Sequence, residues 1–133
     1  MDLTGSFAFT ISDKKLDFDE INRYICIIPT KIINKGQVLV SNKVAPFDIW
    51  SYEIKISNET DALEHLSYLL DKLMPYSIYI KEISRRYNQV AINCFLRSDM
   101  GQIGFEITSE VMHKLNNIGT SMNFHILSYG CVE

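Results

Sequence analysis

Cysteine is scarce in this chain. Cys26, Cys94 and Cys131 are odd in number, far apart and without a CxxC pair. Disulfide frameworks and structural zinc sites need closely patterned cysteines, so neither fits, and a reducing cytoplasm is the expected setting. Long apolar runs are missing too: Tyr24-Ile25-Cys26-Ile27-Ile28 is typical of the longest, whereas a membrane-spanning helix needs about 20 apolar residues. No membrane partner is expected. The opening MDLTGSFAFTISDKK lacks a basic segment followed by an apolar stretch, so no secretory signal is expected. The six glycines are dispersed and form no GxGxxG, GxxxxGK[ST] or GxSxG pattern. Positive charge is not in excess either: 13 Lys and Arg stand against 16 Asp and Glu, for a net charge of −3. Nucleic-acid binding would then need a local basic patch, and Arg85, Arg86 and Arg97 with Tyr87 come without a recognisable binding motif, so no nucleic-acid partner is expected.

What is present is enough apolar material for a core. With 133 residues and 47% hydrophobic content, one domain spanning residues 1–133 is expected. Charge is distributed in blocks. Residues 46–74 hold Asp48, Glu53, Glu59, Asp61, Glu64 and Asp71 against Lys55 and Lys72, while residues 31–45 hold Lys31, Lys35 and Lys43 without an acid. Such blocks are most often solvated faces, and they also map where a charged partner could dock.

Phe7, Phe9 and Ile11 alternate with smaller residues and predict a half-buried strand. Asp17 with Glu20 resembles a capping box, Leu16 can staple onto Ile21, and the helix they open should end before Pro29. Gln37 to Val40 reads as a short edge strand between turns at Gly36 and Asn42. Trp50, Tyr52, Ile54 and Ile56 alternate with Ser51, Glu53, Lys55 and Ser57, a strong strand pattern. Asn58 or Thr60 can cap the next helix, whose stripe is Leu63, Leu66, Leu69, Leu70 and Leu73, closed by Pro75. Tyr76, Tyr79, Ile80, Ile83 and Tyr87 predict a further short helix, with a strand over Ser77 to Ile80 as the alternative. Val90, Ile92, Cys94 and Leu96 predict a central strand, turning at Ser98-Asp99-Met100-Gly101 and returning over Gln102 to Ile107 as a hairpin. Thr108 caps a helix carrying Val111, Met112, Leu115 and Ile118, Gly119 ends it, and Met122, Phe124 and Ile126 form a last strand. The order predicts an α+β fold: a mainly antiparallel sheet of about five or six strands with helices packed on a face.

Several of these landmarks fall together. The Asp19-Glu20-Ile21 helix leads to Ile28-Pro29-Thr30, then to Gly36, Trp50-Ser51-Tyr52, the leucine-striped helix and the helix-Gly119-strand closure. In this combination the chain resembles the bacterial domain of unknown function family 4279. The resemblance implies a small, stand-alone, mostly cytosolic bacterial domain and brings no catalytic residues with it.

The residues that could carry chemistry read more simply as structure. His65, His113 and His125 have neither HxxxH nor carboxylate spacing and are expected at the surface. Cys26, among isoleucines, and Cys94, on a strand's apolar face, read as small core residues; Cys131 near the end has no evident activating base. Asp17 with Glu20, and Asp61 with Glu64, sit at helix starts where capping and the helix dipole account for them. Trp50 reads as a core residue under a helix, its N–H satisfied locally. No catalytic residue, metal or cofactor is expected.

A binding surface is what remains. An acidic domain without catalytic motifs has the profile of a non-enzymatic bacterial immunity protein that neutralises a cognate toxin. Glu59, Asp61, Glu64 and Asp71 are the expected docking patch, with the exposed ends of Tyr76 and Tyr79 as anchors. The alternative is a small-ligand-binding or enzymatic domain with a pocket between sheet and helices, lined by Trp50, Tyr52 and the basic segment Lys31 to Lys43. A homodimer is a third option.

Overall fold

A computed structural model describes residues 3–56, 62–100 and 104–131. In chain order the elements are β1 (Leu3–Asp13), α1 (Phe18–Tyr24), β2 (Lys31–Ile33), β3 (Asp48–Ile56), α2 (Ala62–Leu73), α3 (Ser77–Arg86), β4 (Gln89–Met100), α4 (Ser109–Ile118) and β5 (Ser121–Cys131). The strands form one sheet in the order β2-β3-β1-β4-β5. β1 lies at its centre, antiparallel to both β3 and β4, and β5 alone runs parallel to its neighbour. This is the expected α+β class, with the helices packed on one face.

The register explains which face they cover. Phe7, Phe9 and Ile11 lie opposite Ile54, Tyr52 and Trp50 on one side and Cys94, Ile92 and Val90 on the other. These residues share a core with Ile21 and Ile25 of α1, the leucines of α2, Ile80 and Ile83 of α3, and Val111 and Ile118 of α4. Leu66, Leu69, Leu70 and Leu73 are all buried, so the predicted stripe is the seam of α2. Trp50 is fully buried. Its ring meets Phe9 edge-on at 6.1 Å, and its indole N–H donates to Asn22 Oδ1 of α1 at 2.9 Å.

Helix ends follow the residues that specify them. Asp17 Oδ1 accepts from the Glu20 N–H at 3.0 Å, the first half of the capping box. The second half is not made, because the Glu20 carboxylate turns instead to Tyr79 and Arg86, and the Asp17 N–H donates to Tyr87 Oη. Pro75 does end α2, but within a single 3₁₀ turn, Met74–Tyr76, that runs straight into α3. Thr108 caps α4 through the Val111 N–H, and Gly119 ends it in the left-handed region at φ 79°. A Cβ there would also come within 3.0 Å of the Lys81 side chain.

Four local expectations are corrected. The edge strand is Lys31–Ile33, not Gln37 to Val40. The latter segment folds back on itself with a single Val38–Val44 bridge, and Val38 and Val40 are exposed, so it has no apolar face to lay on the core. Among the described residues no hairpin follows β4: the strand continues through Ser98 to Met100, and residues 104–107 are irregular. β4 connects instead through α4 to a parallel β5, the crossover that a parallel pair requires. Cys26 is exposed rather than in the core. Met112 is likewise exposed, while Phe105 and Ile107 pack against the core as the irregular segment passes. The candidate caps Asn58 and Thr60, and residues 101–103 of the expected turn and return strand, lie outside the described residues.

Candidate functional site

The face of the sheet turned away from the helices is built from the other half of each strand's alternation. Ser6, Ala8, Thr10 and Ser12 of β1 stand beside Lys55, Glu53, Ser51 and Ile49 of β3. On the other side they meet Phe95, Asn93, Ala91 and Gln89 of β4, with Asn123, His125 and Leu127 of β5 beyond. Small side chains in the middle and taller ones to either side give a hollow. Ser6, Ala8, Ser51 and Asn93 are each less than 10% exposed although no helix among the described residues covers them.

Two adjoining cavities occupy this hollow. The larger, about 670 Å³, is bordered by Ser6, Glu53, Lys55, Phe95, Arg97 and His125 among others. The second, about 270 Å³, lies toward β2 over Ala8, Thr10, Ser51 and Asn93, and it shares Glu53 and Phe95 with the first.

Hydrogen bonds hold the lining in place. Ser6 Oγ donates to Glu53 Oε2 at 3.0 Å, and the Glu53 N–H donates to Thr30 Oγ1 at 2.9 Å. Asn93 Oδ1 accepts from Asn123 Nδ2 at 3.4 Å and lies 3.3 Å from His125 Nε2. His125 in turn stacks on Phe95, ring centres 4.8 Å apart. Lys55 and Arg97 are exposed and have no ion-pair partner among the described residues. The hollow thus offers an aromatic platform with two cations on its border, Lys55 across β1 and Arg97 two residues along β4, and one carboxylate already engaged by a hydroxyl. Gly5 is part of its construction: at φ 145° its position would place a Cβ 1.7 Å from the Phe95 carbonyl oxygen. Only glycine lets β1 and β4 approach this closely at the border.

The residues singled out in the sequence are found elsewhere. Glu59 and Asp61 lie outside the described residues. Glu64 is exposed on α2, and Asp71, also exposed, pairs with Lys114 of α4 at 2.9 Å. Tyr76 is partly buried against the core. The exposed end expected of Tyr79 is corrected: the residue is buried and its hydroxyl donates to Glu20 Oε2 at 2.8 Å. Burial and that carboxylate raise its pKa, while Arg86 first and Tyr79 second hold Glu20 below its ordinary 4.5. Tyr24, stacked on Tyr79 with ring centres 4.9 Å apart, is exposed.

The lining expected of a pocket between sheet and helices is corrected: Trp50 is sealed in the core and Tyr52 lies under the Lys72 ammonium. Of the basic segment, Lys31 reaches the hollow, on the opposite face of the sheet. His113 and His125 are exposed as expected; His65 is half-buried, with its Nδ1 unpartnered among the described residues. Cys94 is fully buried, and that burial pushes its thiol up to about 12. The side chain of Cys131 lies outside the described residues.

The hollow had a partial signal in the sequence: Ser6, Ala8, Thr10 and Ser12 occupy the alternate positions of β1, small and half polar. That they meet Asn93 and Ser51 rather than bulkier residues is a matter of register, which the alternation alone does not disclose.

No helix of the described residues is long and apolar enough to cross a membrane. Neither the curated proteins nor the solved structures contain a match to this chain. A family model does match, over residues 3–129, which takes in every element from β1 to most of β5 and both sides of the hollow. The chain belongs to the domain of unknown function family DUF4279.

Proposed function

We propose that this chain is a non-enzymatic binding protein of the immunity type, acting in the bacterial cytoplasm, that holds a cognate toxin domain against the open face of its sheet. The observation that carries this reading is the hollow on the open face, where the stacked Phe95 and His125 share the border with Lys55 and Arg97. An aromatic platform fixed on a rigid sheet and flanked by charge is the composition of an interface centre, where Arg and aromatic residues contribute most of the affinity. Lys55 and Arg97, without an ion-pair partner among the described residues, would steer an acidic surface of the partner onto the face. The acidic side of α2, with Glu64 and Asp71, is the competing docking surface and faces away from the hollow.

Co-expression with the product of the adjacent gene tests the reading. A stable complex, rescue of growth, and loss of both on Phe95→Asp or Arg97→Glu are expected. Loss on Glu64→Lys instead would move the docking surface to α2. No complex and no rescue would remove the immunity reading altogether.

A second reading has one observation in its favour. Lys55 and Arg97 converge on a cavity of about 670 Å³, large enough for a small anion-bearing metabolite. Thermal shifts with inorganic phosphate and with simple dicarboxylates, abolished by Arg97→Gln, would support it; unchanged melting across such a panel would oppose it.

A further inference from the structure

The two margins of the sheet are protected unequally. The β2 margin is three residues long and begins with Lys31; shortness and a lysine both discourage another strand from adding on. The β5 margin runs eleven residues and ends the strand order, so no strand among the described residues pairs with its outer side. Its sequence, SMNFHILSYGC, holds no lysine, arginine, aspartate, glutamate or proline. From Ser121 to Ser128 its inner side pairs with β4 in unbroken register. The outer side of that stretch is a regular row of backbone N–H and C=O groups, about 26 Å long at the rise of a strand. Apolar side chains flank the row on both faces. Phe124 and Ile126, on the helix side opposite Cys94 and Leu96, are 47% and 59% exposed, and Leu127 on the open side is 46% exposed.

We propose that this edge pairs with β5 of a second copy of the same chain, antiparallel about a two-fold axis normal to the sheet. The charge pattern selects this occupant. Without a formal charge over eleven residues, the strand faces its own copy with no like charges opposed, whereas an edge made for a charged foreign strand would carry the complementary sign. The two-fold makes the contact isologous, so the Phe124 and Ile126 row of one copy packs along the same row of the other. The same operator keeps all helices on one side and joins the two open faces into one continuous surface. Docking at Phe95 and Arg97 does not require this pairing, and the pairing does not require docking.

The test is the mass in solution of the wild-type chain and of Phe124→Lys and Ile126→Lys, by sedimentation or light scattering over a concentration series. Wild type is expected at twice the chain mass, and each lysine variant at the chain mass with its helix and strand content retained. Amide hydrogen exchange of the wild type gives an independent reading that needs no variant: protection over Ser121 to Ser128 should fall on dilution. A wild type that stays monomeric at high micromolar concentration overturns the proposal. So does a dimer that survives both lysines, or β5 protection that does not change with concentration.

Discussion

At the scale of single residues, stability depends on which side chains are sealed and which are only paired. Trp50 is sealed, packed edge-on to Phe9 and bonded to Asn22. Trp50→Ala should therefore lower stability by about 3–5 kcal/mol through the cavity it leaves, measured by urea unfolding. An unchanged midpoint would place the ring outside the core. Glu20 is only paired: it receives Arg86 at 2.6 Å and the Tyr79 hydroxyl, with about a quarter of its side chain exposed. Its pKa lies lower in the folded chain than the ordinary 4.5, so its contribution is fully present above that value and is lost as pH falls through the lowered one. Glu20→Gln should cost about 1 kcal/mol at neutral pH, the solvent-screened worth of such a pair. The difference from wild type should vanish in acid well below 4.5; a constant difference would mean that charge is not the cause. Both residues were recognised in the sequence, Trp50 by alternation and Glu20 by spacing. The Glu20 partners were not, because Tyr79 and Arg86 come from a helix about sixty residues later.

At the scale of elements, local pattern identified β1, β3, β4, β5 and the four helices of the described residues, and it failed where a choice depended on distant partners. The alternation of Val90 to Leu96 is the same whether the chain then turns back as a hairpin or crosses over through a helix. What decides is α4, whose Val111 and Ile118 must reach the core on the helix side of the sheet, and a strand after such a helix returns parallel. The segment 37–40 failed for the converse reason: it has strand-forming valines but no covered face to put them on. Gly5 is the element-scale test of the hollow. Gly5→Ala would drive a methyl group into the Phe95 carbonyl, and at a positive φ it should destabilise the chain by at least about 2 kcal/mol. Faster amide exchange in the first residues of β1 and the facing part of β4 should accompany it. A neutral substitution would show that β1 and β4 do not approach this closely.

At the scale of the whole molecule, the sheet divides the chain into a sealed side and an open side. The helix side holds the tryptophan, the leucine stripe and most of the aromatic rings, and it accounts for stability. The open side holds small residues at the centre of the sheet and the stacked Phe95–His125 pair toward one end, with Lys55 and Arg97 lining the same cavity. Acidic clusters are prominent in a linear reading, whereas this surface is dispersed over positions 6, 53, 55, 95, 97 and 125 and exists only once the register brings β1, β3, β4 and β5 together. The most direct test of the open face as the working surface is the affinity for the adjacent gene product, measured by calorimetry for wild type, Phe95→Asp and Arg97→Glu. The account predicts that each substitution weakens binding at least tenfold, a loss of about 1.4 kcal/mol, while the chain's melting temperature is retained. Undiminished affinity in both variants would contradict it.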